Sequence, residues 1–200
     1  MSQYGISHTV LGLFDRSGFY IEAGASNPFD QNNTSLLEEN GWTGLLVEPR
    51  TDHNHEYATL RPRSIVENYA LVDKNCTTTS IPFGTNGHMS GPCPSHLASN
   101  TLIEVPCCTL DNLLRKHNRR EVDFFSLDVE GYEHQVLGGI DFDYCKFNIL
   151  LVEGHGDASY EFCNKKEDFS YLESYGYRLD HLPAPGQYFY IHSSFTRKNG

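Results

Sequence analysis

Residues 18–50 read GFYIEAGASNPFDQNNTSLLEENGWTGLLVEPR, and this stretch decides the fold. Phe19, Tyr20 and Ile21 form an apolar run that stops at Glu22-Ala23-Gly24. After a polar turn, Ser35-Leu36-Leu37-Glu38 fits a helix capping box, and Gly41 supplies the stop. Leu45, Leu46 and Val47 make a second apolar run, closed by Glu48-Pro49. This is the pattern of a βαβ unit in an open parallel sheet, where ligands sit beyond the carboxyl ends of the strands. A carboxylate at the tip of the second strand, Glu48, is placed to accept hydrogen bonds from both hydroxyls of a ribose.

The turn between strand and helix narrows the choice of nucleoside ligand. A dinucleotide needs a glycine-rich turn so that backbone N–H groups can approach its pyrophosphate. Here the turn is Gly24-Ala25-Ser26-Asn27-Pro28, with one glycine and a proline that removes a donor. S-adenosylmethionine carries a ribose and a charged amino-acid tail but no phosphate, so it does not need that cradle. A nicotinamide-dependent oxidoreductase is the competitor this turn argues against.

The totals set further bounds. Two hundred residues, 38% hydrophobic and 12% aromatic, suit one folded domain over residues 1–200 with a full core. A net charge of −11 disfavours broad contact with nucleic acid or anionic lipid and suits neutral or cationic acceptors. No segment approaches the ~20 apolar residues of a membrane span, and MSQYGISHTV has no signal-peptide core. The six cysteines include no CxxC pair, and their spacings fit no common zinc finger. A reduced, cytoplasmic protein is the expectation.

Elsewhere in the chain, residues 3–15 suggest an opening helix that packs Val10, Leu11, Leu13 and Phe14 on the sheet. Asp52 is the expected cap of a helix running to about Leu60, and Ser64–Val72 is expected to be one buried strand. The segment around residues 74–106 is long for a crossover; extended runs at Ser80–Phe83 and Leu102–Val105 flank a Gly/Pro/Ser-rich loop, which indicates a hairpin insertion. Thr109 caps a helix with Leu110, Leu113 and Leu114 facing inward. Asp123–Asp128 and Asn148–Glu153 are expected strands, and Asn164 the cap of a helix that ends at Gly176. Tyr177–Leu182 and Gln187–His192, joined by Pro183-Ala184-Pro185-Gly186, must run antiparallel. Acids therefore mark four strand ends, at Glu22, Glu48, Asp128/Glu130 and Glu153, and in a parallel sheet these tips share one edge.

Over nearly its whole length the chain resembles the FkbM-type family of S-adenosylmethionine-dependent methyltransferases. The resemblance rests on Ser2-Gln3-Tyr4-Gly5, Glu22-Ala23-Gly24-Ala25, Asn33-Thr34, Gly41-Trp42-x-Gly44, Glu48-Pro49, Asn68-x-Ala70, Thr109-Leu110-Asp111, Asp128-Val129-Glu130-Gly131-Tyr132-Glu133 and Glu153. It implies the class I methyltransferase fold, a Rossmann-like α/β architecture. That fold has a mostly parallel seven-stranded sheet, an antiparallel last strand and helices on both faces. It also implies O-methylation of a hydroxyl on a sugar, glycan or small natural product. Relatives with the look of binding modules supply the alternative of an interaction domain without turnover. Many relatives carry Asp-Gly after the turn, where this chain has Ser26-Asn27-Pro28.

The resemblance gives the candidate residues roles. Gly24, Ala25 and Ser26 would lie against the cofactor's methionine part, Glu22 would face its amino group, and Asn33 joins the same set. Glu48 would hold the ribose, while Asn68 and Asp73 would reach towards the adenine. Asp128 and Glu130 would sit where cofactor and acceptor meet. Methyl transfer to a hydroxyl needs a proton acceptor, and Glu130, Glu153 and His155 are the candidates, with His134 more distant. A divalent ion on Asp128, Glu130, Glu153 and His155 is the lesser alternative, because carboxylates at strand tips usually hydrogen-bond instead.

Overall fold

In the computed structural model, which describes residues 5–28, 32–85, 90–92, 101–154 and 169–198, the apolar runs become a seven-stranded sheet. The chain enters through helix α1 (Ile6–Leu13) and then forms β1 (Phe19–Ala23), α2 (Ser35–Glu39) and β2 (Thr43–Val47). Next come α3 (Asn54–Leu60), β3 (Ser64–Glu67), β4 (Ala70–Leu71), β5 (Ser80–Thr85) and β6 (Thr101–Cys108). Helix α4 (Leu110–Lys116), β7 (Glu121–Leu127), α5 (Glu133–Gly138) and β8 (Lys146–Glu153) follow, and a 3-10 turn (Ser170–Tyr175) leads into β9 (Tyr177–Ala184) and β10 (Gln187–His192). Among the described residues no helix is long and apolar enough to cross a membrane.

The main sheet has the order β3-β2-β1-β7-β8-β10-β9. Strands β3, β2, β1, β7 and β8 pair in parallel, while β10 runs antiparallel to both β8 and β9. β9 runs two residues further than the sequence suggests, through Ala184, and the two-residue turn Pro185-Gly186 reverses the chain into β10. Each face of the sheet is buried by helices. On one face Ile6 and Val10 of α1, Leu37 of α2 and Tyr57 of α3 pack with Tyr20, Leu46 and Phe124. On the other, Leu110, Leu113 and Leu114 of α4 and Val136 and Leu137 of α5 pack with Ile21, Leu45 and Phe125. Residues 20 and 21, and 45 and 46, thus part to opposite faces as the pleat requires.

Three local expectations are corrected. The first turn of α2 has no capping box: Thr34 occupies the cap position, and its side chain accepts no hydrogen bond from the N–H groups of the helix. Glu38 turns instead to Arg61, Tyr20, Ser64 and the Arg63 N–H, where a buried cation outcompetes the helix end. His53, not Asp52, precedes α3, and the Asp52 carboxylate pairs with Arg50 at 3.3 Å. The run Ser64–Val72 is two strands, because Asn68-Tyr69 interrupts it. Beyond the break, β4 leaves the main sheet and pairs in parallel with β6, which pairs antiparallel with β5. The Thr109 cap is present as a reciprocal pair with Asn112, and Gly41 and Gly176 end their helices at φ +87°. Asn164, expected to cap the helix before Gly176, lies outside the described residues.

A buried ionic knot ties α2, α3 and β1 together. Arg61, 3% exposed, donates from Nε to Glu38 (2.9 Å) and from one amino group to Thr34 Oγ1 (2.5 Å) and the Tyr20 hydroxyl (3.1 Å). Its other amino group lies 3.9 Å from Glu22. Gly44 is part of the arrangement, since a Cβ there would fall 2.0 Å from the Tyr20 ring. Removing the cation leaves two buried acids without a counter-charge, so Arg61→Ala is expected to cost about 3–5 kcal/mol in urea unfolding.

Candidate functional site

The sheet order reverses between β1 and β7: the chain steps outward from β1 to β2 and β3, then returns to place β7 on β1's other side. That divergence opens a crevice at the carboxyl ends of the strands. Gly24 begins its floor at φ +78°, donating to the Val47 carbonyl (3.0 Å), and Ala25 donates to the same oxygen (3.3 Å). A Cβ on Gly24 would lie 1.7 Å from the Asp128 carbonyl oxygen, so no side chain fits. Asp128 closes the contact by donating its N–H to the Ala23 carbonyl (3.1 Å).

Ser26 also has a left-handed backbone (φ +49°). Its N–H donates to Glu48 Oε2 (2.8 Å), and its carbonyl accepts from the Tyr57 hydroxyl (3.0 Å). Glu48, 6% exposed, takes the Arg50 N–H on Oε1 (3.1 Å). Burial pushes its pKa up, against the pull of the Arg50 and Ser26 N–H groups and the Arg50 charge. A carboxylate has about four lone-pair positions, so each oxygen can accept a second donor. Asn68 lies behind this carboxylate rather than in the crevice, donating to the carbonyls of Glu48 (2.9 Å) and Arg50 (3.0 Å) and pairing with Asn54. Asp73 accepts the Asn75 N–H (2.6 Å) and lines a separate cleft with His134, Tyr171 and Tyr175.

Glu22 and Asn33 sit one pleat further in. Glu22 is paired in register with Ser126 and Leu46, and accepts the Asn33 N–H (2.6 Å) and the Thr34 hydroxyl (2.5 Å). Burial raises its pKa, and Arg61 opposes the rise. The Asn33 side chain donates to Ser126 Oγ (3.2 Å), while among the described residues its Oδ1 is buried with no hydrogen-bond partner.

Across the crevice the acids gather at the ends of β7 and β8. The Asp128 and Glu153 carboxyl groups hydrogen-bond each other, and burial together with their mutual repulsion drives Asp128 far above its ordinary range. Two such groups share one proton. Gln187, facing Glu153 across the β8–β10 pair, donates to Glu153 Oε1 (2.7 Å). Glu130 has a left-handed backbone (φ +56°), and burial and the nearby Asp128 charge push its pKa up to about 7. Glu133 accepts the N–H groups of Val129 (3.0 Å) and Gly131 (3.2 Å), so it braces the turn that presents Glu130. Burial pushes Glu133 up to about 8.

The structure thus brings Gly24, Ala25, Ser26 and Glu48 to one wall and Asp128, Glu130 and Glu153 to the other, with Asn68, Glu22 and Asn33 behind them. His155 lies outside the described residues. Among the described residues Asp128, Glu130 and Glu153 do not form a group able to hold a metal ion. Sequence reasoning missed the bracing roles of Glu133, Tyr57 and Gln187 and the counter-charge supplied by Arg61. The Gln187 pairing had a signal, because the Pro185-Gly186 turn brings the start of the last strand back to the sheet's carboxyl edge.

A parallel sheet that reverses at β1/β7, carries one antiparallel strand second from its far edge and opens with a single-glycine turn is the fold of a class I methyltransferase. The family model of the methyltransferase FkbM domain matches residues 22–179, from the acid of β1 into β9, and the chain belongs to that family. No curated protein matches the chain.

Two outcomes follow from this geometry. Gly24→Ala places a methyl group against the Asp128 carbonyl at positive φ, and is expected to cost well over the ~1 kcal/mol of an ordinary glycine replacement; urea unfolding reads the loss. Glu130 and Glu133 keep their protons to about 7 and about 8 in the fold, whereas an unfolded glutamate releases its own near 4.5. Over that window the folded chain holds protons that the unfolded chain has lost, so stability falls as pH rises from about 5 to about 8. Glu133→Gln is expected to flatten the fall by close to one proton in the slope of unfolding free energy against pH.

Proposed function

We propose that this methyltransferase takes its methyl group from S-adenosylmethionine and transfers it to a hydroxyl of a small molecule or glycan. The observation that carries the reading is a glutamate, Glu130, with a proton affinity near neutrality at the rim of the crevice that Gly24 and Glu48 form. S-adenosylmethionine, when bound, supplies a methyl group activated by its sulfonium.

The residues present suit that cofactor. Glu48 keeps lone pairs for the two ribose hydroxyls after accepting from Ser26 and Arg50. Gly24 and Ala25 offer backbone on which a methionine chain can lie, since no Cβ fits at Gly24. The Asn33 Oδ1, unpartnered among the described residues, and the Asp128/Glu153 pair are acceptors for an ammonium group, and a cation there would lower the proton affinity of the pair. Glu130 would take the proton of the acceptor hydroxyl, and Glu133 and Gly131 fix the turn that aims it. Glu153 is engaged by Asp128 and Gln187, and the proton affinity of Glu130, near neutrality, suits it better to the base's role.

The net charge of −11 favours neutral or cationic acceptors. In this reading residues 1–200 act as one methyltransferase domain in the cytoplasm, and the β5–β6 hairpin is its insertion.

Isothermal titration with S-adenosylmethionine and S-adenosylhomocysteine tests the reading, and no binding at millimolar cofactor overturns it. Glu48→Ala is expected to weaken binding about a hundredfold, two charge-assisted hydrogen bonds at ~1.5 kcal/mol each. Glu130→Gln is expected to leave affinity within a few-fold and lower turnover by about 10²–10⁴. In the unaltered enzyme kcat should rise with pH through about 7 as Glu130 loses its proton, and Glu130→Gln should abolish that limb. Mass spectrometry of candidate acceptors incubated with labelled methyl donor reads the turnover.

A further inference from the structure

Two cysteines meet where the insertion joins the domain. Cys76 lies in the turn after β4, and Cys107 lies on β6, in register with Ala70. Thr78 holds both. Its hydroxyl is 3.4 Å from Cys76 Sγ and 4.0 Å from Cys107 Sγ, and its carbonyl accepts from Cys107 at 3.4 Å. The backbone repeats the link, since Cys107 donates its N–H to the Thr79 carbonyl (3.0 Å). Both sulfurs thus lie against the same hydroxyl, one on either side of it. Cys76 is partly exposed and Cys107 buried, so one sulfur faces solvent and the other waits behind it. Cys108, the next residue on β6, packs in the main core on the strand's opposite face, and Cys145 is buried in that same core. Among the described cysteines, Cys76 and Cys107 are the two that share a side-chain partner.

We propose that Cys76 and Cys107 form a peroxide-sensitive thiol pair that closes to a disulfide. The Thr78 hydroxyl lowers the Cys76 pKa, favouring the thiolate, while burial raises that of Cys107, so Cys76 reacts first. Its sulfur attacks one oxygen of hydrogen peroxide; the O–O bond breaks, the released hydroxide takes a proton to leave as water, and Cys76 becomes a sulfenic acid. Cys107 then gives up its proton and attacks the Cys76 sulfur; the S–O bond breaks and a second water leaves. Two thiols lose two electrons and two protons, and one peroxide is reduced to two waters.

The bond would fix the 73–79 turn to β6. Asp73, Lys74 and Asn75 of that turn form one wall of the cleft shared with His134 and Tyr171. Tyr132, next to Gly131 of the Glu130 turn, packs on the same small cluster as Cys76 and Cys107. The inference needs neither the cofactor nor the methyl acceptor, and its test reads covalent chemistry alone.

The full chain is treated with hydrogen peroxide, unfolded, and digested without reductant by chymotrypsin and a glutamate-specific protease. Cuts after Phe83 and Glu104 separate Cys76, Cys93 and Cys107 into different peptides. The expected result is loss of two titratable thiols, a Cys76–Cys107 linked peptide, and full recovery with dithiothreitol. Cys107→Ser should stop Cys76 at a sulfenic acid that dimedone captures, and Thr78→Val should slow the loss of the Cys76 thiol several-fold. A dominant linkage through another cysteine, or equal dimedone capture in the unaltered chain and Cys107→Ser, overturns the proposal. So does a Cys76 rate unchanged in Thr78→Val.

Discussion

Backbone meets backbone where Gly24 touches the Asp128 carbonyl, and the crevice is built around that contact. The Ala23–Asp128 hydrogen bond holds the ends of two neighbouring strands together just where their connections part. With no side chain between the strands, Glu48 at the end of β2 and the acids at the ends of β7 and β8 stand on the same edge of the sheet. A single missing Cβ therefore decides both the width of the site and how closely its charges crowd.

The chain answers the crowding of acids in two ways. Behind the turn, Glu22 and Glu38 are met by Arg61, a cation buried as deeply as they are. At the rim, burial and the closeness of Asp128, Glu130 and Glu153 to one another raise their proton affinities, and the carboxyl groups respond by holding protons. The first answer makes a rigid joint between α2, α3 and β1. The second leaves groups whose proton affinity suits exchange with a ligand near neutrality.

Much of this was legible in the residues. The apolar runs of β1, β2, β7 and β8 and the short link before β10 specified the sheet, because burial on both faces leaves few other uses for such runs. Glu48 was legible as a strand-tip acid, and the Thr109 cap as a local motif. Arg61 was not, since its partners lie 23 to 41 positions away and no local pattern marks them. The same holds for the false capping box: Ser35 and Glu38 have the right spacing, but Arg61 and Ser64 offer Glu38 better partners than a helix end. The run Ser64–Val72 concealed its break, because Asn68 differs from its neighbours only in bonding sideways, to the carbonyls of Glu48 and Arg50.

That sideways bond makes Asn68 a seam. On one side lies the sheet that carries Glu48; on the other, β4 carries the hairpin into a separate three-stranded sheet. Since the hairpin is anchored to β4 rather than to β3, lengthening, shortening or exchanging it need not shift the register of the strands that form the crevice. The fold is modular here, with a chassis and a replaceable flank, so descendants of such a chain can vary the flank without rebuilding the chassis.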